Sequence, residues 1–381
     1  MGTNEDTYGN PSTYTAYGYD GQGHLSSAQR TGDSPYYRLY TCDGVGNRTL
    51  QGGDNLSGPM TYDADDELTG FSWNNGSPVG SSSLSYDADG QRTGETTGIT
   101  SSFAGYTTQY GYDFDGQLTS ITKAGSTTTF RYDPLGRQVS RSVNGTLTGF
   151  SFDGGQIVFE EVNGSVTKQY TWGNELIRCN GEYPLTDGTG NVRHMTDGSG
   201  NYLATVQADP FGLTVAASGS TANPYQYNAA SGYRSDGDGP ADAAPLQKVG
   251  DRYYDPELGV FLTRDTELDE KPYTYCDGDP VNYVDPSGHM KIPDWLKKFL
   301  QKLLGGSGTG SSASLGVQRD PTTTTRTDTK TTTTSYTNFG SYNNGHGGGQ
   351  QQGITVTKTT TTTTTSTSTG GGSFSGIKIK L

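Results

Sequence analysis

A short pattern recurs down the first half of the chain: an aromatic residue, then aspartate, then in most copies a glycine within about three positions. The copies are Tyr19-Asp20, Cys42-Asp43 (with Tyr40 just upstream), Tyr62-Asp63, Tyr86-Asp87, Tyr112-Asp113, Tyr132-Asp133 and Phe152-Asp153. Successive aspartates lie 23, 20, 24, 26, 20 and 20 residues apart. A period in that range belongs to a string of similar units and not to one globular core. Each unit reads as a β-hairpin. In the run from Phe130 to Arg141, alternating side chains lead into Asp133-Pro134-Leu135-Gly136 and then resume. Asp can bond to backbone two residues on, Pro presets φ, and Gly accepts positive φ. The aromatic before the turn can pack across the sheet and hold register.

The expected fold class is therefore all-β, a curved or spiralling strip of consecutive antiparallel hairpins. The chain holds 57 Gly and 26 Tyr but is only 29% hydrophobic, so a thick aliphatic core is not expected. A thin sheet, wet on much of both faces, fits that composition better. Cys42, Cys179 and Cys276 lie far apart, which suggests neither a zinc site nor a disulfide framework. No stretch reaches the ~18 apolar residues of a membrane span. No signal segment is visible at the start, so export is expected to use another route or an upstream region.

Charge divides the chain. Residues 1–290 hold 16 Lys+Arg against 37 Asp+Glu, a net −21, and residues 291–381 hold 10 against 3, a net +7, together the −14 of the whole. An acidic body argues against nucleic-acid binding. No cofactor or metal is expected. Asp87-x-Asp89-Gly90, Asp113-x-Asp115-Gly116 and Asp236-Gly237-Asp238 are superficially similar to calcium loops, but they lack the twelfth-position Glu and the Gly at position six, and turn formation accounts for them. His24, His194, His289 and His346 are scattered and suggest no triad or metal site.

Four segments follow: the hairpin strip at 1–175, a second β region at 176–290, an amphipathic helix at 291–306 and a Gly/Ser/Thr-rich tail at 307–381. In the second region, close-set turns at Asp187, Asp197 and Asp209 precede two long runs, Arg252-Tyr253-Tyr254-Asp255-Pro256 through Asp265 and Tyr273 through Gly288. These runs resemble the core domain of Rhs and YD-repeat proteins, with its R-Y-Y-D-P-x-x-G-R-F-L-S-x-D and N-x-P-V-N-x-x-D-P-x-G-L motifs. The resemblance covers roughly residues 10–290, and His289 stands where the second motif has Leu. It implies a β-shell that encloses a C-terminal polypeptide, often a toxin, in a secreted or cell-surface system. Seven units are fewer than such a shell uses, so a partial shell is expected. Expected partners are the chain's own C-terminal segment or upstream repeats, secretion-spike proteins, or surface glycans.

The resemblance also implies an aspartyl protease that cuts its own chain once. It places Asp265 and Asp285 as the catalytic pair, Arg264 beside the first, and His289–Met290 as the scissile bond. The chemistry needs two carboxylates close enough that one stays protonated as acid while the other acts as base on water. The alternative is an ordinary Asp-Pro-Ser-Gly turn at Asp285 and a strand cap at Asp265. A rival class is a carbohydrate-binding or adhesive surface protein, with rings such as Trp73 and Trp172 stacking on sugar, although packing between hairpins is the commoner reason for such rings.

From Pro293 to Leu304, apolar residues Trp295, Leu296, Phe299, Leu300, Leu303 and Leu304 fall on one helical face with lysines opposite. That face is expected to pack on the β body in preference to a membrane surface. The Thr-rich tail predicts disorder or weak β structure, and nothing in it resembles a toxin active site.

Overall fold

A computed structural model describes residues 2–4, 13–54, 58–74, 79–99, 105–236, 246–267 and 270–293, together with the backbone of three strands in the tail. Seventeen strands, from Gly2–Asn4 to Leu176–Cys179, form one sheet in which each strand pairs antiparallel with the next in the chain. This is the predicted strip of hairpins.

The aspartate of the repeat closes six of the seven hairpins in the same way. At Asp133, the side-chain Oδ1 accepts from the backbone N–H of Leu135 at 2.9 Å and of Arg137 at 3.0 Å. The main chain adds Asp133 N–H to Arg137 O and Gly136 N–H to Asp133 O, both 2.9 Å. Asp20, Asp43, Asp63, Asp87 and Asp113 repeat the side-chain pattern, and so do Asp187, Asp197 and Asp209 beyond the strip. The fourth turn residue has positive φ, which glycine meets at no steric cost. In the Asp63 turn no glycine is present, and Asp66 takes that conformation at φ 62°. The register shifts at the aromatic itself, as between Arg131 and Tyr132. That bulge adds twist and re-aims the ring. Asp153 departs from the set: it pairs directly with Gln156 across a two-residue Gly154-Gly155 turn.

Four further strands, Tyr183–Thr186, Val192–Thr196, Tyr202–Ala208 and Thr214–Gly219, make a second sheet on the same turn chemistry. Arg234–Ser235, Gln247–Val249, Arg252–Asp255 and Val260–Phe261 make a small third, and Tyr283–Val284 pairs with Ile292–Pro293. The predicted helix at 291–306 thus begins in extended, paired backbone, and its residues 294–306 lie outside the described residues. In the tail, which forms a separate compact unit, Asp328–Asn338, Ile354–Thr364 and Ser375–Lys378 are antiparallel strands.

One face of the strip is not wet. Alternate residues turn inward, as in Tyr36–Cys42 where Tyr36, Arg38 and Tyr40 are buried and their neighbours exposed. Met60, Leu68 and Leu84 pack on Leu258, Val260 and Tyr273, and Leu118, Ile121 and Phe130 pack on Tyr253 and Leu262. Phe150, Ile157 and Tyr170 meet Met195 and Tyr225, while Leu25 and Tyr40 join Phe211, Tyr254, Phe261 and Tyr275. The expectation of a sheet wet on both faces is therefore corrected: the second β region covers the inner face. The filling is aromatic and arginine-rich. Arg48 Cζ lies 3.7 Å from the Phe211 ring centre and Arg234 Cζ 4.4 Å from that of Phe150. Such stacking lets arginine stems and aromatic rings do the work of aliphatic residues.

The turn bonds make a sharp prediction. Asp133→Ala removes two carboxylate–amide bonds and should lower unfolding free energy by about 1–2 kcal/mol, whereas Asp153→Ala should change it by less than about 0.5 kcal/mol. Urea denaturation of both variants checks this, and equal losses would contradict the distinction.

Candidate active site around Arg252

Strand Arg252–Asp255 carries a buried arginine into a crowded polar pocket. Arg252 Nη2 lies 2.6 Å from Asp265 Oδ2 and 3.9 Å from Asp285 Oδ2. Its Nη1 donates to the carbonyls of Thr263 at 3.2 Å and Pro272 at 3.1 Å, and its Nε donates to Gly288 O. The guanidinium also stacks on Phe261, with Cζ 3.6 Å from the ring centre. One side chain thus gathers both candidate aspartates and the loop that contains the candidate scissile bond. Burial pulls the Arg252 pKa down to about 10, against the opposing pull of Asp265 and Asp285. That still leaves it cationic at neutral pH.

Asp285 follows Tyr283–Val284 and is anchored at its backbone: the Tyr233 hydroxyl donates to Asp285 O at 2.8 Å and accepts from Asp285 N at 2.9 Å. Its Oδ1 accepts from the amides of Gly288 at 2.8 Å and Met290 at 3.0 Å. The Met290 nitrogen belongs to the candidate scissile bond. Burial raises the Asp285 pKa, the Arg252 charge and the two amide bonds oppose that rise, and the Asp265 charge adds to it. The loop is drawn tight by glycine: Gly250 has φ 52° and Gly288 φ 79°, and a Cβ on Gly250 would strike the Ser287 backbone.

Asp265 lies in the loop after Val260–Phe261, where its amide donates to Pro272 O at 2.8 Å. Both its oxygens are engaged, Oδ2 by Arg252 and Oδ1 by the Glu267 amide at 3.0 Å and by His289 Nδ1 at 2.9 Å. His289 is buried and Met290 is half exposed. The pair is assembled by loops around one guanidinium. Arg264 does not join them. It is exposed, and its side chain lies over the turn at Gly90. Arg252 is the residue that sequence reasoning passed over. The available signal was its charge in a run, Arg252-Tyr253-Tyr254-Asp255, whose neighbours are otherwise suited to burial. Among the described residues no cluster of three or more His, Cys, Asp or Glu is arranged to hold a metal ion.

The other singled-out groups have structural uses. Trp172 packs edge-on against Tyr225, at 5.0 Å between ring centres, and donates from Nε1 to Ile157 O at 2.7 Å. Asp236 is ion-paired with Arg234 at 2.8 Å and with Arg141 at 3.3 Å. The Trp73 side chain lies outside the described residues.

With this geometry in view, comparison with known proteins is informative. The teneurin YD-shell family matches residues 3–163. A tRNA3(Ser)-specific nuclease WapA of Bacillus spizizenii is 32% identical over 276 residues, which is 66% of this chain and 11% of that protein. The tRNA nuclease WapA of Bacillus subtilis is 30% identical over the same length and shares. The chain belongs to the Rhs/YD-repeat family. It spans about a tenth of the length of the WapA relatives. A Photorhabdus luminescens Tc holotoxin pore structure is 15% identical, with a TM-score of 0.39 over 74% of this chain and 18% of that one.

Asp285 yields a test by pH. Its folded pKa is raised, so the folded state holds this proton more tightly than the unfolded chain does. Its contribution is greatest below the ordinary carboxylate value of 3.8 and is lost as pH climbs through the raised value. Asp285→Asn should therefore flatten the fall in melting temperature as pH rises above about 4, relative to the parent. An unchanged slope would show that the carboxyl is not held protonated by the fold.

Proposed function

We propose that this chain is an encapsulating shell element of a secreted or cell-surface, polymorphic toxin-like protein. The observation that carries the reading is the strip itself: seventeen consecutive antiparallel strands with one face turned to a single aromatic filling supplied by the second β region. A wall of hairpins is its outer layer, and residues 176–290 form the end that folds back inside. The tRNA cleavage named for the WapA relatives is not part of the proposal for this chain. The rival reading, carbohydrate binding, is weakened by the use of Trp172 in packing. The shell reading predicts that a cut made at a protease site inserted between Leu304 and Gly305 leaves the two fragments co-eluting on a sizing column. A C-terminal fragment that elutes alone, or selective glycan-array binding by the body, contradicts it.

A second reading is favoured by one contact, the Met290 amide on Asp285 Oδ1. It is self-cleavage at His289–Met290. Water adds to the His289 carbonyl carbon and passes a proton to the Asp265 carboxylate. Protonated Asp285 gives its proton to the Met290 nitrogen, and the C–N bond breaks to a His289 carboxylate and a Met290 amine. Arg252 pairs with Asp265 and holds the loop through Gly288 O. On storage near neutral pH, the parent is expected to accumulate a fragment beginning at Met290. Asp285→Asn is expected to accumulate none, as read by intact mass. A parent that stays whole alongside the variants under every condition removes this reading and leaves the shell reading standing.

A further inference from the structure

His289 supplies the carbonyl of the bond that the core would cut, and its own ring turns back onto one of the two aspartates. The side chain is 10% exposed, with Nδ1 2.9 Å from Asp265 Oδ1. Thr266 Oγ1 lies 3.4 Å from the same nitrogen, and Nε2 faces the exposed Asp251 carboxylate at 3.8 Å. An ionised carboxylate can only accept, so Nδ1 carries the hydrogen in the Asp265 contact.

The consequence lies in how Asp265 spends its lone pairs. Oδ2 is taken by Arg252, while Oδ1 accepts from both the Glu267 amide and the His289 ring. Each carboxylate oxygen offers about two acceptor positions. With the imidazole in place, Oδ1 has none left for a water beside the His289 carbonyl, and the one position left on Oδ2 lies next to the Arg252 guanidinium. Without it, Oδ1 keeps only the Glu267 bond, and one position opens toward the loop that carries the bond.

We propose that the His289 side chain is a built-in brake on its own peptide bond, occupying the acceptor position on Asp265 that the attacking water needs. The inference rests on the self-cleavage reading above. Asp285 is unaffected by the brake, because its bonds to the Gly288 and Met290 amides do not involve the imidazole. The brake thus acts on the base and not on the acid.

The test compares the full chain with His289→Leu, His289→Met and His289→Gln. It adds the double variant His289→Leu/Asp285→Asn, and fragments are followed over time by intact mass. The two apolar side chains cannot bond Asp265 and should accumulate the Met290-led fragment about tenfold or more faster than the parent. Glutamine can donate to Asp265 and should remain close to the parent rate. The double variant should not cut, which ties the gain to the acid and separates it from general loosening. A parent that cuts as fast as the folded Leu and Met variants, as judged by near-ultraviolet circular dichroism, overturns the brake while leaving self-cleavage standing. Absence of cutting in the folded apolar variants overturns both. A Gln variant as fast as Leu would show that bulk and not the bond to Asp265 sets the rate, and would also overturn the brake.

Discussion

A guanidinium buried at Arg92, in the middle of the strip's inner face, takes its ion-pair partner from outside the strip. The partner is Asp255 of the second β region, 2.9 Å from Arg92 Nη1. Arg38 and Asp209 make the same exchange at 3.0 Å. A buried charge left alone costs about 3–5 kcal/mol, so the strip and its filling cannot readily exist apart. These pairs also set register, because a strip shifted by one residue would turn its arginines outward. The shell wall and the segment inside it are thus specified together.

The site around Arg252 uses the same device for a different end. Arg252 belongs to the strand that carries Asp255, so the element locked into the strip by Arg92 also presents the guanidinium that gathers Asp265, Asp285 and the loop after Gly288. Positioning of the candidate chemistry is then a by-product of how the filling is fastened to the wall. Turn chemistry contributes as well. The carboxylate that closes hairpins by accepting two backbone amides at Asp133 accepts two backbone amides at Asp285, and there one of them is the nitrogen of a breakable bond.

The hairpin strip was legible in the sequence because its signal is local: Asp, the left-handed position and the preceding ring all lie within five residues. Asp153 shares the pattern but not the turn, since Gly154-Gly155 allows a tighter two-residue connection. The covered inner face was not legible, because it depends on pairs such as Arg92 with Asp255, 163 positions apart, and on arginines that composition counts as surface charge. The core motifs named Asp265, Asp285 and His289 as candidates, and the fold brings the three side chains around Arg252. Arg252 was not singled out, because its partners arrive from three separate loops. Arg264, next to Asp265 in the chain, instead lies over the turn at Gly90.

The most direct measurement of the central claim is a double-mutant cycle on Arg92→Met and Asp255→Asn, read by urea unfolding of the whole chain. If the filling and the wall are fastened by this pair, each single variant loses about 3 kcal/mol or more while the double loses far less than their sum, a coupling of at least about 2 kcal/mol. Losses that simply add, within about 0.5 kcal/mol, would mean that the two residues act independently and that something else holds the strip around its filling.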